Sequence, residues 1–540
     1  MLRSATAWLL VSALAAPTGL LAQERVVQDR PDLPTIHRIK QEAFGNSQVM
    51  ETLLHLTDRL GPRLTGSPEF KRSADWILTR LKEFGIDNGR LEKFDFGRGW
   101  SYSRFHLHMI EPSIQPIIGF PMAWTPGTNG AITADVIHVP MAQGIDFAKW
   151  RGKLKDKIVL IDPPRDFPLE VNGQARRYTE GDLNEFLVAP DPGAASPFAR
   201  RPGAAGGRES ANAFRNLRNK FLREEGVLLA LSPGYQGTYG TVFAAAAGSQ
   251  DPKSEMPPPI AAIASEHYAR MVRLLEKKIP VKVEANIQAQ FHDDGAGYNV
   301  VAELPGTGKH KDEDILIGGH LDSWHGATGA TDNAAACALM METLRLFKAT
   351  GIKLDRTVRI GLWGGEEQGL LGSRAYVKQH VADRDTMKLG ADHAKLSVYF
   401  NIDNGAGKIR GVYTQGNEMV KPVFESLLAP FKDLGVTHVS NRNTGGTDHL
   451  SFDAVGIPGF QFIQDPLDYM ARTHHSNMDT YDRIQKGDML QQLAVLASMV
   501  YHAANRDELF PRKPLPVPEK RPERPGAAPA TSSAAGAAQR

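Results

Sequence analysis

From residue 299 to residue 505 the chain alternates short β-rich runs with helical stretches, and this alternation restricts the fold more than any other feature. Candidate strands are Val300–Leu304, Ile315–Gly318, Val358–Trp363, Val398–Ile402 and Phe460–Ile463. Candidate helices are Asn333–Lys348, Gln368–Val381, Val420–Leu428 and Lys486–Ala504. The order implies an α/β layer fold with a largely parallel sheet. In such sheets functional groups collect at the carboxyl ends of the strands. His320, Glu366, Glu367 and Asp403 all fall just past a candidate strand.

At 540 residues the chain is too long for one ordinary core, so two or more domains are expected. A formal charge of +2 argues against dedicated nucleic-acid binding and gives no steering field for a charged substrate. Arg3 precedes an apolar run, Ala5 to Leu21, interrupted by Pro17 and Gly19. This pattern reads as a signal peptide over 1–22, cleaved after Ala22, with Ala13-Leu14-Ala15 as a rival site. The alternative is an uncleaved anchor helix, which Pro17 disfavours. The expectation is therefore an exported protein, periplasmic or secreted, with no membrane span after signal removal. Cys337 is the single cysteine, so no disulfide can form within one chain. It reads as a small buried hydrophobe in an Ala-rich helix rather than a nucleophile.

Ahead of the alternating region, residues 35–86 read as helical, broken at Gly61-Pro62-Arg63, with Ser67 available to cap the second helix. Residues 91–125 look extended. Short β-rich runs then follow at Ala134–Val139, Lys157–Asp162, Val227–Leu231, Pro259–Ala264 and Val281–Ala285, with a helix near Glu266–Lys278. Residues 126–288 are accordingly read as an inserted β-rich domain between two parts of the main domain, 23–125 and 289–510. Residues 190–209, rich in Pro, Gly, Ala and Arg, read as a mobile loop. The tail, 511–540, reads as disordered.

The chemistry is carried by Gly318-Gly319-His320-Leu321-Asp322-Ser323-Trp324, Thr331-Asp332-Asn333, Gly364-Gly365-Glu366-Glu367, Asn401-Ile402-Asp403 and His474-His475-Ser476-Asn477-Met478-Asp479. Any one of these has a bland explanation, such as a loop histidine or a solvated acidic face. Their joint recurrence next to glycines and strand ends does not. Zinc accepts imidazole and carboxylate ligands. Two such ions, ~3.5–4 Å apart, could grip an attacking water and a carbonyl oxygen together. Adjacent glutamates can divide labour, one ligating and one acting as general base.

These residues resemble the di-zinc exopeptidases of clan MH, peptidase family twenty-eight, most closely the carboxypeptidase Q-like branch. The resemblance is strong over about 299–505 and looser over 35–86, through Gly61-Pro62-Arg63-Leu64-Thr65-Gly66-Ser67. It implies a three-layer α/β/α zinc exopeptidase fold with a mixed, mostly parallel sheet and an inserted protease-associated domain. It further implies His320, Asp332, Glu367, Asp403 and His475 as metal ligands, with Asp332 bridging. Glu366 is the implied base, and Asp322 the acidic partner of the His320 site. The family's final histidine precedes an acidic residue by four positions, which favours His475, paired with Asp479, over His474. Two Zn2+ per chain are implied, with Co2+ or Mn2+ as substitutes. Short peptides are the implied partners, and a homodimer is an open option.

Thr444-Gly445-Gly446-Thr447-Asp448-His449 either lines the substrate pocket or caps the next helix. His325 reads as a loop histidine, and Trp324 as a pocket wall or packing. Two other functions compete: a one-zinc glutaminyl cyclase, against which the full bridging set argues, and a non-catalytic binding protein on a peptidase-like body. Retention of every implied ligand argues against the second.

Overall fold

The computed structural model describes residues 29–188 and 204–518, with the side chains of 204–210 left aside. The proposed signal peptide, most of the 190–209 segment and most of the tail lie outside the described residues.

The first sheet has eight strands in the order Arg90–Asp95, Ala296–Leu304, Thr357–Trp363, Asp314–His320, Leu396–Asn401, Gly459–Gln464, Ile409–Tyr413 and His438–Ser440. The four strands from Thr357–Trp363 to Gly459–Gln464 run parallel to one another. Antiparallel pairs bring in Ala296–Leu304, Arg90–Asp95 and Ile409–Tyr413. Side chains on strand Asp314–His320 alternate between two cores. Ile315 and Ile317 join a core built with helices Leu33–Gly45, Pro68–Glu83, Ala335–Thr350 and Lys486–Asn505. Leu316 instead joins Trp363, Tyr376, Tyr399 and Phe452 on the opposite face. The central strands are thus covered on both faces, which is why they read as unbroken apolar runs. The helix over Pro68–Glu83 is capped by Ser67, whose side chain accepts from Phe70 N–H at 3.1 Å.

The second sheet also has eight strands and lies within Gly99–His292, so it is wider than the 126–288 region at both ends. Its longest pairing joins Gly99–Glu111 to Lys282–His292 antiparallel. Residues 99–121 therefore pair with the insertion rather than with the main domain. Gly99 marks the crossing: a Cβ there would meet the Gly66 carbonyl oxygen at 1.9 Å. The Gly61–Ser67 turn of one domain is pressed onto the first residue of the other.

Two of the expected irregular segments carry order. A helix begins at Ala204, inside the 190–209 stretch. At the start of the tail, Arg512 donates to the Leu396 carbonyl at 2.8 Å, and Lys513 pairs with Asp453 at 2.6 Å. The composition of 511–513 cannot build a core of its own, yet these cations find acceptors on the finished domain.

Two of the contacts between the domains differ in character. An aromatic cluster brings Leu64, Phe94, Phe96 and Trp324 together with Trp100 and Trp124 of the second-sheet region. Elsewhere Arg177 reaches across to Asp465 at 2.9 Å and Asp488 at 2.8 Å. Asp465 also accepts from Arg410 and from Tyr178 N–H, each at 3.0 Å.

Candidate metal centre

His320 is the last residue of its strand. The glycine before it has a packing reason: a Cβ on Gly319 would stand 2.8 Å from the Ala336 Cβ, so the helix over Ala335–Thr350 could not approach. That helix is entered through Ala330–Ala334, where the Asp332–Asn333 peptide is cis. Asn333 Nδ2 donates to the Ile402 carbonyl at 2.9 Å, tying this turn to the strand end that delivers Asp403. Glu366 and Glu367 follow the strand Thr357–Trp363, and His475 follows the turn Tyr469–Thr473.

The sequence-assigned ligands converge. His320 Nε2 lies 3.1 Å from Asp332 Oδ1 and 3.6 Å from Asp403 Oδ1. His475 Nε2 lies 3.4 Å from Asp332 Oδ2 and 2.8 Å from Glu367 Oε2. Asp332 thus turns one oxygen toward each imidazole. Bonds of ~2.0–2.2 Å to a tetrahedral ion set its ligand atoms roughly 3.3–3.6 Å apart, close to these separations. His474 stacks on His475 with ring centroids 3.6 Å apart, and one of its nitrogens also lies within reach of Asp332.

The electrostatics fit cations. Asp322, Asp332, Asp403, Glu366 and Asp448 are all buried, as is the Glu367 side chain. Asp332 Oδ2 and Glu367 Oε1 are buried oxygens without a hydrogen-bond partner. Burial raises Glu366 and Glu367 well above the usual carboxylate range; His320 opposes this in both, while Asp403 and other acidic neighbours reinforce it. Burial alone would lower His320, but the Asp403 and Glu366 charges override it and raise the imidazole well above its ordinary value. A field that favours a proton on that nitrogen also favours a divalent cation there. The donor set of two imidazoles and three carboxylates is one zinc accepts.

Around the ligands lies a layer of fixed partners. His320 Nδ1 donates to the Asp322 carbonyl at 2.9 Å, leaving Nε2 for the centre. The Asp322 carboxylate also lies 3.6 Å from His320 Nδ1, and it accepts from Glu366 N–H at 3.2 Å and Glu367 N–H at 3.3 Å. Asp479 does not contact His475 through a hydrogen bond, as the four-residue spacing suggested. It accepts from Thr331 N–H at 2.6 Å and Asp332 N–H at 3.1 Å, and so holds the Asp332 backbone. Arg63, fully buried, donates to the carbonyls of Leu321, Thr328 and Gly329, each at 2.8 Å. Trp324 Nε1 donates to Glu367 Oε2 at 2.8 Å, a role that packing alone would not require.

Three other sequence readings resolve here. His325 is buried among Trp100, Tyr102 and Phe120 and donates to the Pro121 carbonyl at 2.6 Å, away from the ligands. Neither Thr447 nor Asp448 caps the following helix with its side chain. Thr447 Oγ1 accepts from Asn401 at 2.9 Å, and burial pushes the Asp448 carboxyl up to about 7, with the His320 charge opposing. Cys337 is buried in its helix, its Sγ donating to the His320 carbonyl at 3.1 Å.

The buried carboxylate-imidazole cluster at the carboxyl ends of parallel strands is a candidate metal centre, and comparison with known proteins narrows the class. Residues 299–500 match the model of peptidase family M28. Carboxypeptidase Q of Rattus norvegicus is 26% identical over 464 residues, covering 86% of each chain. Aminopeptidase YwaD of Bacillus subtilis is 20% identical, covering 92% of this chain and 93% of its own. The crystal structure of a peptidase M28 precursor from Shewanella amazonensis superposes with a TM-score of 0.64 at 25% identity, over 89% of this chain and 98% of that one. A zinc aminopeptidase from Bacillus subtilis shares the fold at a TM-score of 0.52 and 18% identity, over 86% of this chain and 97% of its own. Residues 299–500 thus match peptidase family M28, and the chain is similar along most of its length to known peptidases.

Proposed function

We propose that this chain is a di-zinc exopeptidase, an aminopeptidase or dipeptidase acting on short peptides. The observation that carries the reading is the split of Asp332: one oxygen faces His320, which also stands 3.6 Å from Asp403, and the other faces His475, which also stands 2.8 Å from Glu367. In this reading His320 and Asp403 hold one ion, Glu367 and His475 the other, and Asp332 is shared. Two zinc ions would supply polarisation of the scissile carbonyl and acidification of the attacking water.

The residues of the chain do the rest. Glu366 is the general base: it takes a proton from the water and returns it to the leaving amine. Asp322 fixes the backbone of both glutamates, so that neighbouring side chains keep separate tasks. His320 is held in one tautomer by the Asp322 carbonyl. The second-sheet domain is read as protease-associated in type, and the chain as exported to the periplasm or secreted.

The test is E366Q. The variant should bind two zinc ions per chain yet lose at least about a thousandfold in turnover, within the range general-base catalysis supplies. Near-normal hydrolysis would refute Glu366 as base, and a single bound zinc in the wild type would refute the pair. Digestion of a mixed peptide library shows which terminus shortens; cleavage confined to interior bonds of folded proteins would remove the exopeptidase reading. Recovery of a mature protein beginning at Gln23 would support export.

A further inference from the structure

The turn that carries His475 is not held by its own domain alone. His475 has φ 61°, a left-handed conformation that a residue with a Cβ keeps only where its surroundings over-determine it. Part of that determination comes from the other domain. Phe243, in the second-sheet region, forms an antiparallel bridge with Ser476. Ala244 N–H donates to the His475 carbonyl at 3.3 Å, and Asn477 N–H donates to the Val242 carbonyl at 3.2 Å. The Asn477 side chain completes the clamp: Oδ1 accepts from Val242 N–H at 2.7 Å, and Nδ2 donates to the Gly240 carbonyl at 3.1 Å. Val242 and Phe243 are fully buried, so these backbone groups have no water to turn to.

On its other side the turn is closed by its own domain. His474 N–H donates to the Tyr469 carbonyl at 2.8 Å and Ser476 N–H to the Thr473 carbonyl at 3.1 Å. These bonds fix where the turn starts. Between this start and Asp479, which is held by Thr331 and Asp332, the 240–244 edge pairs with the turn as it leaves, and so bears on the direction of the His475 imidazole toward Asp332 and Glu367.

We propose that Asn477 is a positioning residue for the metal centre, through which the second-sheet domain orients His475. This rests on the assignment of His475 as a ligand. The inserted domain is then a working part of the centre, and Asn477 is the side chain that couples the two.

The test compares Asn477→Ala, which loses both amide bonds, with Asn477→Asp, which keeps an acceptor for Val242 N–H and loses the donor to Gly240. Zinc release to a chelator is followed in full-length protein, well below each variant's unfolding midpoint. Asn477→Ala should release one of its two ions about 10- to 100-fold faster than wild type, the range for losing a partner that orients a ligand. The second ion should leave at the wild-type rate, and Asn477→Asp should fall between. If Asn477 serves only to bind the domains together, the unfolding midpoint drops while both release phases stay unchanged, and the proposal is overturned. His475→Ala is the control. It should lose one ion; if it keeps both at wild-type rates, the ligand assignment fails and the proposal with it. Should Asn477→Ala not fold, Asn477→Asp carries the same comparison against wild type.

Discussion

Replacing Trp324 with Phe removes one hydrogen bond from the metal centre while keeping an aromatic ring in place. The bond lost is Nε1–H to Glu367 Oε2, 2.8 Å long, made by a residue only 9% exposed. A hydrogen bond to a charged acceptor contributes about 1.5–3 kcal/mol. If the loss falls on the zinc that Glu367 holds, its affinity should drop roughly 10- to 150-fold, since every ~1.4 kcal/mol is tenfold. The smaller ring also gives up packing against Trp124, whose centroid lies 6.0 Å away, and this should lower stability by about 1–2 kcal/mol. The two effects separate experimentally. Competition against a zinc-chelating dye reads the affinity of each ion, and thermal or urea unfolding of the loaded protein reads stability. One ion should weaken and the other hold. If W324F binds both ions as tightly as wild type and merely melts earlier, Trp324 is packing, and the argument that its indole orients Glu367 is wrong.

Two further expectations follow from buried groups that are not candidate ligands. Burial pushes the Cys337 thiol up to about 12, so it should resist iodoacetamide at pH 8 in the native protein and react only on denaturation; rapid native labelling would contradict its placement. Burial also raises the Asp314 carboxyl to about 6, although Arg359 stands 3.2 Å away. A carboxyl raised in the folded state gives stability that is complete below its ordinary value of 3.8 and is lost as pH climbs through 6. Asp314→Asn should abolish this step, so the variant's stability relative to wild type should improve by on the order of 3 kcal/mol between pH 4 and 7 in urea unfolding. A pH-independent difference would refute it.

What the sequence disclosed follows from what is local. The core strands from Ala296–Leu304 onward were legible because burial on both faces leaves unbroken apolar runs. The candidate ligands His320, Glu367 and Asp403 stood out because each lies at or just past a strand end. The start of the second sheet at Gly99 was not legible, since that strand's partner is Lys282–His292, nearly two hundred positions later. Strands Ile409–Tyr413 and His438–Ser440 are too short to show a period. The roles of Arg63, Asp479 and Asn477 were hidden for one reason: each binds distant backbone groups, and backbone carries no sequence signature. Trp324 was undecided for a related reason, because its hydrogen bond became visible only once Glu367 was placed opposite it.

Two of the contacts between the domains respond to solvent in opposite ways. The ring cluster of Trp100, Trp124 and Trp324 is apolar, and excluded salts such as sulfate strengthen it. The Arg177 latch pairs a guanidinium that is 43% exposed with two carboxylates that are nearly or fully covered, so ions reach it from one side and shield it in part. Raising ionic strength therefore tightens the hinge of rings while loosening the charged clasp.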